Sequence, residues 1–102
     1  MVIRDRKHIS EDGIVLTVLA INKQTGMMEI PPEIIFRGVA FTEEERLLAE
    51  SRQLVIDTLN QSSAEERADY SVIKEKIRKT LKKYFNKETA KRPFILPVIM
   101  EI

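Results

Sequence analysis

The sequence predicts one α+β domain: a small three-stranded sheet with two helices packed on one face, in the order β-β-α-α-β. Three observations carry that expectation. Two runs rich in β-branched residues, Ile14–Asn22 and Glu33–Phe41, are separated by turn and proline signals. Two stretches with apolar residues at helical spacing follow them. A third apolar run, Phe94–Ile102, comes last. The length of 102 residues suits a single domain with its own core, and 43% hydrophobic residues beside 32% charged ones exclude a disordered chain.

Residues 1–13 read as a lead-in from a linker, leaving 14–102 as the domain. Asp12-Gly13 is a turn signal. Ile14–Asn22 (IVLTVLAIN) is apolar almost without interruption, the pattern of a strand covered on both faces. Lys23–Gly26 reads as a turn. Pro31-Pro32 blocks pairing ahead of the second strand, Glu33–Phe41, where Gly38 marks a bulge or a close backbone approach. Thr42 is the expected N-cap of a helix over about 43–60, with Glu45 completing a capping box. Leu47, Leu48, Leu54, Val55 and Leu59 form its apolar stripe.

Ser63 and Glu66 are spaced to start a short extra turn. The second helix is expected over Tyr70–Asn86, burying Ile73, Ile77, Leu81 and Tyr84 with help from Tyr70 and Phe85. Pro93 ends that region by driving Arg92 out of helical geometry. Pro97 cannot donate to a ladder, so Phe94–Ile102 is an edge strand or a bulged one. An exposed apolar edge invites another chain. Together with the two-sided apolarity of the first strand, it predicts contact with a partner subunit or another domain. The candidate interface is Arg37, Ile95, Leu96, Val98, Ile99 and Met100. Arg37 either points to solvent or pairs with an acid across that interface.

Little in the chain has the composition of a catalytic site. The stretch RDRKHISEDG, Arg4–Gly13, holds the only histidine, His8. A zinc site needs three or four His, Cys, Asp or Glu ligands, and this sequence has one His and no Cys. Ser10 lacks a nucleophile elbow. His8 therefore reads as a solvated or hinge residue. Glu43, Glu44 and Glu45 sit where a helix N-terminus favours negative charge, which explains them better than acid–base chemistry does. The three glycines are isolated, so no phosphate-binding glycine loop is present. No RNA-binding signature of the KH or RRM type appears. No apolar run approaches the roughly 18 residues of a membrane span, and no secretory leader is apparent. A cytoplasmic location is the expectation, with no membrane partner.

The net charge of +1 hides a split. Lys74–Arg92 carries nine basic residues against two acids, a local charge of +7, and the remainder carries −6. Such a layout steers anionic partners. Lys76, Lys79, Lys83 and Lys87 fall near one helix face, bordered by Lys82 and Arg78. The candidate RNA contacts are Lys76, Lys79, Lys82 and Lys83, weighed against the plain reading of a solvated helix face. A free-standing RNA-binding module built on 74–92 is the alternative function.

Three segments together carry a resemblance: VIRDRKHISEDGIVLTVLAIN, PEIIFRGVAF and KRPFILPVIMEI. They hold, in order, R-D-R-K-x-x-S-E-D-G, P-[DE]-I-I-x-R-G and R-P-x-I-L-P-x-I-M-E. The chain resembles the C-terminal domain of bacterial ribonuclease J, of the metallo-β-lactamase/β-CASP ribonuclease family. The resemblance implies a parent that cleaves RNA internally and from the 5′ end, in RNA maturation and decay, with zinc held by its catalytic domains. It implies no catalytic residue, cofactor or metal ligand in this segment, because the H-x-H-x-D-H motif is absent from it. It also implies a three-stranded sheet with two helices and a role in homo-oligomer or paralogue assembly. The parent's catalytic domains would be neighbours, and RNA would be met through the parent. The family pattern has Asp and Ser where this chain has Glu33 and Phe36, which fits a divergent paralogue.

Overall fold

β1, Ile14–Ile21, is the central strand of a mixed sheet with order β2-β1-β3. The computed structural model describes residues 12–102, so His8 and most of the lead-in lie outside the described residues. β2 (Glu33–Arg37) runs antiparallel to β1, from Ile14↔Arg37 to Val18↔Glu33. β3 (Phe94–Glu101) runs parallel to β1, from Ile14↔Phe94 to Ile21↔Glu101. A parallel return needs a long crossover. Here α1 (Glu44–Gln61), the short α2 (Ala64–Arg67) and α3 (Tyr70–Thr89) supply it.

Strand alternation divides the sheet. Val15, Thr17, Leu19 and Ile21 are buried towards the helices, with Ile34 beside them on β2 and Ile95 on β3. Leu47, Val55 and Leu59 of α1 and Ile73, Ile77, Leu81 and Phe85 of α3 complete that core. Phe85 is 0% exposed and meets three other rings: Phe36 at 5.8 Å, Phe41 at 5.6 Å and Tyr84 at 5.1 Å between centroids. The other face of β1 is not covered as its sequence predicts. Ile14, Leu16 and Val18 are only half-buried. Two helices spanning one layer leave the opposite side of a three-stranded sheet open.

The second strand is shorter than expected, ending at Arg37 instead of Phe41. Gly38 has a left-handed φ of 71°, which no strand continues. The tight position is Gly13 and not Gly38: a Cβ on Gly13 would stand 2.6 Å from the Arg37 carbonyl oxygen, whereas one on Gly38 would meet the Gly13 Cα at 3.6 Å, an ordinary contact. α1 also departs from expectation at its start. Its N-cap is Glu43, with no side-chain cap, so the Thr42/Glu45 capping box does not form. Glu43 is drawn instead to Arg46, whose guanidinium also reaches Glu50 and Glu88 and so ties α1 to α3.

The second expected box does form. Ser63 N–H donates to Glu66 Oε1 at 2.9 Å, and Glu66 N–H donates to Ser63 Oγ at 3.1 Å. Ser63→Ala should therefore lower stability by about 1 kcal/mol, read as a shifted midpoint in urea unfolding, whereas Thr42→Ala should leave that midpoint in place. α3 starts under Asp69, which accepts from Ser71 N–H. It runs past the expected Asn86 to Thr89, because nothing before Pro93 opposes helix.

Candidate functional site

Two surfaces stand out, one apolar and one basic. The first is the open side of the sheet. Ile14, Leu16 and Val18 of β1 are flanked there by Phe94, Leu96, Val98 and Met100 of β3 in register. Phe94, Leu96 and Met100 are 40%, 39% and 49% exposed. Large apolar side chains side by side at such exposure are uncommon on a face that meets only water. Ile35 of β2 stands opposite Leu16, with Glu33 opposite Val18 and Arg37 opposite Ile14. The open face is thus an apolar field with one acid and one base at the two ends of its outer strand.

Of the six residues singled out for an interface, Arg37, Leu96, Val98 and Met100 share this face. Ile95 and Ile99 alternate to the helix side, where Ile95 is 2% exposed and Ile99 packs against the core. Sequence reading selected the run as a whole; alternation sorts it. The edge of β3 is less inviting than its face. Pro97 pairs with Thr17 inside an unbroken ladder, so its nitrogen, which carries no hydrogen, belongs on the outer side. An added strand would find a donor missing at mid-edge.

The second surface lies on α3. Lys79, Lys82, Lys83, Asn86 and Arg92 line a concavity of about 310 Å³. Lys76, expected among the RNA contacts, is turned away from it. Its Nζ lies 2.8 Å from Glu66 Oε1 and donates to Ser62 Oγ at 3.3 Å. That bond from Lys76, with the Ser63 N–H, holds the Glu66 carboxyl below the usual carboxylate range. Asn86 and Arg92 were not singled out from the sequence. Asn86 follows Lys79 and Lys83 at helical spacing, a signal that attention to charge alone passes over. Arg92 joins them only because the chain turns back after α3.

A concavity of about 710 Å³ is bordered by Lys23–Gly26, Arg67–Tyr70 and Glu101. Some of its polar groups are already bonded: Tyr70 Oη donates to Glu101 at 2.8 Å, and Arg67 Nη1 donates to the Ser62 carbonyl, while Arg67 Nε is buried without a partner among the described residues. Tyr84 is similarly engaged, donating to Glu50 at 2.6 Å, and burial followed by that bond pushes its phenol well above the usual range. Among the described residues no group of three or more His, Cys, Asp or Glu is placed to hold a metal ion. No helix among them is long and apolar enough to cross a membrane.

A family model described as Ribonuclease J C-terminal domain matches residues 1–102. The chain belongs to this family. Among relatives of the ribonuclease J C-terminal domain, it is 32% identical to Ribonuclease J2 of Bacillus subtilis (strain 168), matching over all of this chain and 19% of that protein. It is 35% identical to Ribonuclease J 2 of Staphylococcus epidermidis and to Ribonuclease J 2 of Staphylococcus aureus, again over all of this chain and 18% of each relative. The chain therefore spans about a fifth of the length of the curated relatives it matches. The β-β-α-α-β order read from the residue patterns is the order observed, with the short α2 between the two long helices, and it matches the three-stranded sheet with two helices that the resemblance implies.

Proposed function

We propose that this chain serves as the non-catalytic C-terminal domain of a ribonuclease J-like RNA-degrading enzyme and joins two copies of that enzyme through its open sheet face. The whole-length match to the ribonuclease J C-terminal domain supports the parent. In this reading RNA hydrolysis and zinc belong to the parent's catalytic portion, and the domain contributes assembly.

The observation that carries the assembly role is the apolar field of Leu16, Val18, Phe94, Leu96 and Met100. A second copy is favoured as occupant by the charges that frame it. Glu33 and Arg37 stand at opposite ends of β2 on the open face. When two such faces pack about a twofold axis lying across the strands, β2 meets its symmetry mate with direction reversed. Glu33 of each copy then approaches Arg37 of the other, and the patch complements itself, as a twofold interface requires.

Sedimentation equilibrium tests this directly. The chain is expected to dimerise, and Leu96→Glu to weaken the dimer about a hundredfold, since an uncompensated carboxylate buried in an apolar interface costs on the order of 3 kcal/mol. Glu33→Arg alone should also weaken it, and adding Arg37→Glu should restore it. A chain that stays monomeric at the highest soluble concentration would rule out the second copy and make the parent's catalytic portion the occupant.

A further inference from the structure

We propose that the basic groove of α3 binds the phosphate backbone of single-stranded RNA, holding substrate without reading its bases. The choice of RNA among polyanions rests on the ribonuclease reading; the groove itself rests on geometry. Lys79, Lys82, Lys83 and Arg92 converge with the Asn86 amide on one concavity. Lys79, Lys83 and Asn86 share a helix face by their spacing. Among the described residues, none of the four cations forms an ion pair within the domain. The two acids of α3 are taken up elsewhere, Glu75 by Arg78 and Glu88 by Arg46. Asp12, the acid near Arg92, accepts from its backbone N–H at 3.0 Å.

The position of Arg92 is set by the chain around it. Ala90 ends α3 in the left-handed conformation, with its N–H donating to the Asn86 carbonyl at 3.0 Å. Lys91 N–H donates to Thr89 Oγ1 at 3.0 Å. Lys91 Nζ reaches the Ala40 carbonyl at 3.0 Å and lies over the Phe41 ring, 5.7 Å from its centroid. Lys91 is thus spent on packing, while Arg92 borders the groove. This order of positions costs little flexibility when a ligand arrives, because the backbone of the connection is already bonded.

Two features select the backbone of the ligand over its bases. Base stacking needs exposed aromatic faces. Of the nearby aromatic residues, Phe85 is 0% exposed, Tyr84 is half-buried and bonded to Glu50, and Phe94 belongs to the open sheet face beside Ile14. Three lysines are compact point charges suited to successive phosphate oxygens. The local charge of +7 over Lys74–Arg92 also gives the approach of a polyanion a direction.

The test is fluorescence anisotropy of the 102-residue chain with a labelled oligouridylate of about 12 nucleotides, a length within the usual single-strand site sizes, titrated over a range of salt. Lys79→Gln with Lys83→Gln should weaken binding at low salt by about fivefold or more and flatten the log–log salt slope by about 1.4, the release expected for two phosphate contacts on a single strand. Lys23→Gln with Lys74→Gln removes the same charge outside the groove and should change affinity by less than about twofold. All four lysines lie outside the buried core, so helical circular dichroism should be unchanged in both variants.

Equal weakening by the two pairs, no RNA binding by the unaltered chain, or equal binding of a polyglutamate peptide would each overturn the groove. None of these touches the dimer, which sedimentation reads separately. A monomer that binds RNA through the groove would overturn the assembly role alone.

Discussion

Replacing Phe85 by alanine should lower the unfolding free energy by about 3–5 kcal/mol, the range for truncating a buried aromatic. The upper part of that range is expected here. Phe85 has no exposed surface, and its ring stacks on Phe41 and meets Phe36 and Tyr84 edge-on. Each such aromatic pair adds roughly 0.5–1.5 kcal/mol beyond buried area. Phe36 and Phe41 flank the turn after β2, so the cavity would open where β2, α1 and α3 meet. Urea unfolding at neutral pH reads the loss. Phe85→Leu should recover part of it by refilling volume. A loss below about 1 kcal/mol for Phe85→Ala would mean that this junction collapses freely, contrary to the packing described.

The second large effect lies at Gly13. Its φ of +80° already charges any L-residue about 1–2 kcal/mol. A Cβ there would also stand 2.6 Å from the Arg37 carbonyl oxygen and 2.8 Å from the Gly38 carbonyl carbon. Those are backbone atoms, which cannot swing aside as a side chain does. Gly13→Ala should thus cost about 3 kcal/mol or more, with both strain and clash contributing. Gly26→Ala is the control. Gly26 has a similar φ of +72°, but its nearest neighbours are Arg67 side-chain atoms at 3.5 and 3.6 Å. It should cost only the conformational part, about 1–2 kcal/mol. Equal effects at the two glycines would show that the β1–β2 end yields to accommodate the methyl group.

Much of this architecture was legible in the residues. The apolar run of β1, the stripe Ile73–Ile77–Leu81 and the Pro97 signal each led to the right element, because each pattern reflects a local constraint that the fold obeys. What escaped was decided by tertiary partners. The α1 cap moved because Arg46 competes for Glu43, and that competition includes Glu88, 42 residues away. β1 looked covered on both faces because its residues are apolar on both, while the helices of this domain line only one of them. The basic groove was half legible. Lys79, Lys82 and Lys83 follow from spacing, but the pairing of Lys76 with Glu66 and the arrival of Arg92 depend on how α2 and the last connection fold back.

The parallel pairing of β1 with β3 has a consequence for how the domain comes into being. Its longest ladder joins the first described strand to the last, with some eighty residues between Ile14 and Phe94. Such distant closure is slow, and on a ribosome it waits until β3 has emerged. Before then β1 has only the short β2 as a strand partner among the described residues. The open face waits too, because Phe94, Leu96, Val98 and Met100 all come from β3. A polypeptide released early lacks the ladder and half the apolar field together. The open apolar face is therefore the last surface of this domain to be completed, after the helices that line the opposite face have been made.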